Sequence, residues 1–192
     1  MQLKKNKLVE GTVWITGVTA SGKTTLGQLL YDKLMQEGYH NAEFLDGEVL
    51  RKKLDRIYGS SVEERFAVLE NVIRIANDCN QRGNVAIVST ISHKRLMREI
   101  ARKALSPFIE VYLKCSIEVC KKRDFKGLYA KAFAGELNTF VGVTEPYELS
   151  DKPELILDTE TLSISECCNV LFKHTVGFLK NDFLHIKKNV PL

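Results

Sequence analysis

Five short apolar runs punctuate this chain: TVWIT (12–16), AEFLD (42–46), VAIVST (85–90), FIEVYL (108–113) and ELILD (154–158). Each is bounded by turn signals and reads as a strand buried on both faces, the habit of a parallel sheet. Between the runs, apolar positions recur at helical spacing. Residues 23–37 form a predicted helix that ends at Gly38. Residues 62–82 start behind Ser61, with Glu64 completing a capping box, and stop at Gly83. Helices over 93–105 and 117–124 follow, and 164–180 close the chain's pattern behind Ser163, with Glu166 as capping partner. No internal repeat, low-complexity segment or linker breaks this order. Strand and helix in alternation predict one α/β domain over 1–192, a five-stranded parallel sheet with helices on both faces.

Composition narrows the class. At 192 residues and 44 % hydrophobic, the chain can bury a full core in a single domain. It holds no apolar run long enough for a membrane span, and its N-terminus, MQLKKNKLVEG, lacks the apolar stretch of a secretory signal. Cys79, Cys115, Cys120, Cys167 and Cys168 show no paired CxxC arrangement, so reduced and mostly buried thiols in a cytoplasmic protein are expected. Of the vicinal pair Cys167-Cys168, at least one is expected in the core. Much of the net charge of +4 comes from Lys4, Lys5, Lys7, Lys180, Lys187 and Lys188. Such ends read as solvated tails, and neither a nucleic-acid nor a membrane partner is expected. His40, His174 and His185 have no partners at ligand spacing and read as surface residues. Ile164, Leu171, Val176 and Leu179 read as a stripe packed on the sheet.

The chemistry begins where the first strand meets the first helix. Gly17-Val18-Thr19-Ala20-Ser21-Gly22-Lys23-Thr24 matches G-x-x-x-x-G-K-[ST] in a strand–loop–helix context. Glycines let the backbone wrap closely, so N–H groups from Gly17 through Thr25, with Thr19, Ala20, Ser21 and Gly22 between, can converge on phosphates. The helix N-terminus adds partial positive charge, Lys23 reaches the outer phosphates, and the Thr24 hydroxyl is the candidate Mg²⁺ ligand. The expected ligand is ATP with Mg²⁺.

Two further segments speak to what becomes of the ATP. FLDGEVLRKKL sets Asp46, Glu48 and Arg51 just beyond the second strand, at the sheet edge where ligands bind in open α/β folds. A carboxylate there can take a hydroxyl proton or hold a metal-bound water, and an arginine can grip an anionic acceptor. Later, Arg123, Lys126 and Lys131 crowd a segment broken by Gly127, Gly135 and Gly142. A basic, glycine-hinged stretch over about 123–147 suits a lid that excludes water during transfer, with Arg123 on the nucleotide. A merely solvated basic loop fits the same pattern.

WITGVTASGKTT, LDGEVLR, ISHKR and RDFKGLYAKAFAGELNTFVGVTEPYE together resemble the adenylylsulfate kinase family, almost without gaps from about Gly11 to Glu148. The resemblance implies a P-loop kinase fold, transfer of the ATP γ-phosphate to the 3′-hydroxyl of adenylylsulfate, and a homodimer. By position, it makes Lys23, Asp46 and Glu48 the catalytic candidates. Arg51 and Arg65 fall on arginines that hold the acceptor, Ile91 and Ser92 on backbone contacts, Lys126 on a lid lysine, and Phe140 on an aromatic stacked against the acceptor's base.

The chain departs from that pattern mainly around the acceptor. Ser60 stands where the family has Phe, Val68 where it has Asn, and Thr90 and His93 where it has Phe and Pro; Glu48 replaces an aspartate. A kinase for another nucleotide-linked acceptor, such as cytidine diphosphoramidate in capsule modification, therefore stands beside adenylylsulfate. An ATP-binding regulatory module without catalysis is the reading of a different class, and the lid argues against it. A gluconate- or shikimate-like kinase would share the phosphate loop but would not predict KGLYAKA. His93, beside the site, reads equally as an acceptor contact and as a solvent-facing residue.

Overall fold

The computed structural model describes residues 7–54, 58–59 and 61–180. Ser60, Lys4, Lys5, Lys187, Lys188 and His185, weighed above, lie outside the described residues. The elements run β1 (Gly11–Thr16), α1 (Lys23–Gln36), β2 (Ala42–Asp46), α2 (Gly47–Lys52), α3 (Val62–Gln81), β3 (Val85–Ser89) and α4 (Arg95–Ala104). After these come β4 (Phe108–Lys114), α5 (Ile117–Arg123), α6 (Leu128–Phe133), β5 (Leu155–Asp158) and α7 (Ile164–Leu179). The strands pair in parallel in the order β2-β3-β1-β4-β5, with Val13 of β1 opposite both Ile87 of β3 and Ile109 of β4.

Alternation along β1 splits the core in two. Val13 and Ile15 face α1 and α7, packing with Leu30, Leu34 and Leu171. Trp14 faces α3 and α4, packing with Leu69, Val72, Met97 and Phe108. Each fully buried side chain of this size contributes roughly 1.5–3 kcal/mol, so the double-sided burial fixes both helical layers. Gly27 lets α1 approach β2 closely, because a Cβ there would sit 2.4 Å from the Phe44 ring.

Both expected capping boxes form, Ser61 with Glu64 and Ser163 with Glu166. Four details differ from the sequence reading. β5 is not buried on both faces: among the described residues it is an edge strand paired with β4, and Ile156 is 55 % exposed. Helix α4 starts at Arg95, because residues 91–94 run as a loop in which Ser92 adopts φ +41°. Ile164 is exposed while Leu171, Val176 and Leu179 are buried, so the α7 stripe lacks its first member. His174 is half-buried and its Nε2 is fully enclosed, which removes it from the open surface. Cys167 and Cys168 are both buried, and all five cysteines are free thiols. No helix among the described residues is long and apolar enough to cross a membrane.

Candidate active site

The loop from β1 to α1 bends inward on three residues of positive φ: Gly17 (+151°), Ala20 (+60°) and Gly22 (+101°). A Cβ on Gly17 would lie 2.8 Å from Ser21 Oγ and 2.9 Å from the Leu113 carbonyl, so only glycine fits the turn. Such a run of turns points successive N–H groups into one concavity, a cradle for anionic oxygens. Lys23 Nζ donates to the Val18 carbonyl at 2.7 Å, folded over the mouth of the cradle. Burial pulls its pKa down to about 8, with the Asp46 and Glu48 carboxylates acting in the opposite sense. Thr24 and Thr25 are exposed at the first turn of α1.

Asp46 and Glu48, two residues apart in sequence, sit in different environments. Asp46 caps α2: its Oδ1 accepts from the amides of Glu48 (2.9 Å) and Val49 (3.1 Å). Its Oδ2 accepts from Thr24 Oγ1 at 2.6 Å and Ser89 Oγ at 3.0 Å. Burial alone would raise the carboxyl's pKa, but these four donors together hold it below the ordinary value. Glu48 is half exposed and ion-paired, 2.6 Å from Lys126 Nζ and 3.2 Å from Lys52 Nζ. The Lys126 contact is the leading cause that lowers its pKa. Both acids are therefore carboxylates at neutral pH. Asp46 has its lone pairs committed to the scaffold, whereas Glu48 is held by a lid side chain that can leave.

The segment 123–147 rests on the phosphate loop. The Tyr129 hydroxyl donates to the Thr19 carbonyl at 3.0 Å, and Phe140 meets the Tyr129 ring edge-on at 4.9 Å between centroids. Both rings are buried with Val18, Ala132 and Val141 in a small core of their own. Arg123 donates to the Thr159 carbonyl at 2.8 Å, and the Thr159 hydroxyl donates to the Ser21 carbonyl at 3.1 Å, which links the β5–α7 turn to the loop. Lys126 reaches Glu48, whereas Lys131 is exposed on α6.

On the acceptor side, Arg51 Nη2 donates to the carbonyls of Tyr58 (2.7 Å) and Gly59. Arg65 Nε lies 4.0 Å from Glu145 Oε2. The β3–α4 loop is fixed from both ends: Thr16 Oγ1 donates to the Ile91 carbonyl at 2.5 Å, and Arg98 Nη1 to the Ser92 carbonyl at 2.5 Å. Thr90 borders Gly47, where an added Cβ would lie 3.2 Å from the Thr90 Cβ. Val68 instead packs onto the Trp14–Leu69 core.

Three contributors had no clear sequence signal, and for a fourth, His93, the sequence left two readings open. His93 is buried against Glu145, not solvent-facing. The Tyr147 hydroxyl lies 2.8 Å from Thr16 Oγ1. Tyr129 fastens the lid to the loop, and Arg98 is enclosed beside Glu110 at 3.0 Å. For Arg98 alone a hint existed, since Arg95, Arg98 and Arg102 recur along one stretch of helix and so call for acidic partners.

The family model "Adenylylsulphate kinase" matches residues 10–158 of this chain. A probable adenylyl-sulfate kinase of Archaeoglobus fulgidus is 44 % identical over 148 residues, covering 77 % of this chain and 95 % of that protein. An adenylyl-sulfate kinase of Halothermothrix orenii is 37 % identical over 163 residues, covering 85 % of this chain and 88 % of that protein. Among solved structures, the Mycobacterium tuberculosis APS kinase in complex with AMPPNP and APS superposes with a TM-score of 0.81 at 34 % identity, covering 87 % of this chain and 98 % of that one.

Proposed function

The chain belongs to the adenylylsulfate kinase family, and from that premise we propose the roles of its residues in phosphoryl transfer from ATP to adenylylsulfate. It is an ATP-dependent kinase with a hydroxyl acceptor, and the reaction converts adenylylsulfate to its 3′-phosphorylated product. The observation that carries the residue assignment is the joining of three segments at one sheet edge. Thr24 of the phosphate loop is bonded to Asp46 at the end of β2, and Lys126 of the lid is paired with Glu48 two residues on.

Mg²⁺ fits this site, because the Thr24 hydroxyl is a hard oxygen donor of the kind that cation prefers, and once it turns from Asp46 to the cation, Asp46 Oδ2 is free to accept from a metal-bound water. Bound there with ATP, it would offset charge on the β- and γ-phosphates. Lys23 exchanges the Val18 carbonyl for the outer phosphates, and the loop amides from Gly17 to Thr25 hold the rest. Arg123 lies on the nucleotide side, beside the β5–α7 turn. Arg51 and Arg65 grip the acceptor's anionic group, the Ile91–Ser92 backbone lines its edge, and Phe140 stacks at its base. Lys126, released from Glu48, moves to the reacting phosphoryl group and leaves Glu48 to orient the 3′-hydroxyl. Phosphoryl transfer through a loose transition state asks little of a base, so a carboxylate of low pKa suffices for that task. The segment 123–147 closes as a lid, the single unit works in the cytoplasm where ATP is available, and it pairs as a homodimer.

The test mixes the protein and ATP·Mg²⁺ with adenylylsulfate or with cytidine diphosphoramidate and reads product masses. The second acceptor is included because Val68 packs into the core where the family pattern has an acceptor-side amide. The expected result is one phosphoryl group added to adenylylsulfate. ATP consumption with neither acceptor modified would overturn the reading.

A further inference from the structure

Arg65 of α3, Glu145 near the end of the lid and His93 of the β3–α4 loop meet at the acceptor edge, although no sequence motif joins them. Glu145 Oε2 lies 3.0 Å from His93 Nε2 and 4.0 Å from Arg65 Nε. His93 is 1 % exposed, and its Nε2 and the facing Oε2 are both enclosed without an aligned hydrogen bond. A ring nitrogen and a carboxylate oxygen this close form a bond only when a proton lies between them. The backbone around both groups is fixed. The Glu145 amide donates to the Phe140 carbonyl at 3.2 Å, its carbonyl accepts from Gly142 at 2.7 Å, and the His93 carbonyl accepts from Glu148 at 2.8 Å.

We propose that Glu145 is a positioning residue that holds Arg65 as an internal stand-in for the acceptor's anion, and that His93 takes over the Glu145 carboxylate when Arg65 turns to the acceptor. The inference rests on the reading of Arg65 as an acceptor-gripping residue. A half-buried guanidinium needs a countercharge to stay aimed, and Glu145 supplies it. The same carboxylate competes with the incoming anion, so a weakly charged acceptor fails to displace it while a doubly charged phosphosulfate succeeds. Displacement leaves Glu145 beside His93 alone. The charged groups that act on His93 are Arg65, Glu145 and Glu148 from the facing segments and Lys94 of its own loop. Lys94 and Glu148 are 3.3 Å apart and largely offset each other. Burial and then Arg65 hold the imidazole's pKa below its ordinary value. Once an acceptor neutralises Arg65, that repulsion is removed and Glu145 favours the imidazolium. Acceptor binding thus takes up a proton, and it tightens as the pH falls toward the ordinary histidine range.

The experiment measures steady-state kinetics of the full chain with adenylylsulfate varied at saturating ATP·Mg²⁺, from about pH 5.5 to about 8, a range that brackets histidine. Glu145→Gln should lower the acceptor KM about three- to fivefold at the alkaline end, the worth of one partly exposed ion pair, with kcat within about twofold. Its KM should also lose most of its dependence on pH. His93→Asn should match the wild type at the alkaline end and lack the fall in KM on the acid side. Calorimetry of acceptor binding to the wild type in two buffers of different ionisation heat should show proton uptake, which requires no variant. Arg65→Ala is the control and should raise the acceptor KM with the ATP KM unmoved. If Arg65→Ala leaves the acceptor KM unchanged, the reading of Arg65 falls, and the inference with it. If Arg65→Ala raises it but Glu145→Gln does not lower it, or if no proton is taken up, the inference alone is overturned.

Discussion

Lys23 shows how one residue's environment sets a measurable chemistry. Its ammonium is enclosed at the loop mouth, and burial brings its pKa to about 8, far below a solvated lysine. Below that pH the group is already charged when ATP arrives. Above it, the phosphates must draw a proton back onto Nζ, so ATP affinity should weaken as pH rises through about 8. Calorimetry of ATP binding at about pH 8.5, in two buffers of different ionisation heat, should show uptake of up to about three-quarters of a proton. Lys23→Arg, charged throughout, should show none. Equal uptake by both proteins would place the titrating group elsewhere. The phosphate loop was legible in the sequence because its function resides in eight consecutive residues whose geometry is local. His93 was not legible, because its burial depends on Glu145 arriving from the far end of the lid.

At the scale of elements, legibility followed length and locality. The long helices declared themselves by periodicity and by Ser–Glu capping boxes, each worth about 1 kcal/mol and complete within four residues. Helices α2 and α6 span six residues each, too short to establish a period, and the sequence pattern predicted neither. The tie between α4 and the segment after the lid was only hinted at, by the spacing of Arg95, Arg98 and Arg102. Arg98, 1 % exposed, donates to the Ser92 carbonyl, the Ser150 hydroxyl and the Glu148 carbonyl, and its Nε lies 3.0 Å from Glu110 of β4. One guanidinium thus pins the acceptor loop, the lid's exit and the sheet together. Removing one partner of so enclosed a pair leaves buried charge and carbonyls unmatched, so Arg98→Ala should cost about 3–5 kcal/mol. Because domains of this kind hold only about 5–15 kcal/mol in total, the denaturant midpoint should fall by a large fraction. An unfolding free energy lowered by less than about 1 kcal/mol would mean that water replaces these contacts freely.

Across the whole molecule, the parallel sheet gathers at one edge what the chain keeps far apart: the phosphate loop after β1, Asp46 at the end of β2, the Ile91–His93 loop after β3, and Thr159 after β5. Order and alternation of elements were enough to foresee that gathering, since parallel strands leave every βα turn at the carboxyl edge of the sheet. What they did not show is how the lid is held. It is fastened to the phosphate loop through Tyr129 and to the acceptor-side acid through Lys126, so its position is sensitive to both ligands. Each ligand at about a hundred times its Kd should stabilise the fold by about 2.7 kcal/mol, or roughly 5–10 °C in Tm for a chain of this size. If Lys126 leaves Glu48 only when both sites are filled, a non-hydrolysable ATP analogue and adenylylsulfate together should raise Tm beyond the sum of their separate shifts. A coupling of about 1–3 kcal/mol predicts an excess of several degrees. Lys126→Ala should retain the separate shifts and lose the excess. Strictly additive shifts in the wild type would show that the lid does not couple the two sites, and the ion pair between Lys126 and Glu48 would then be a surface contact of little consequence.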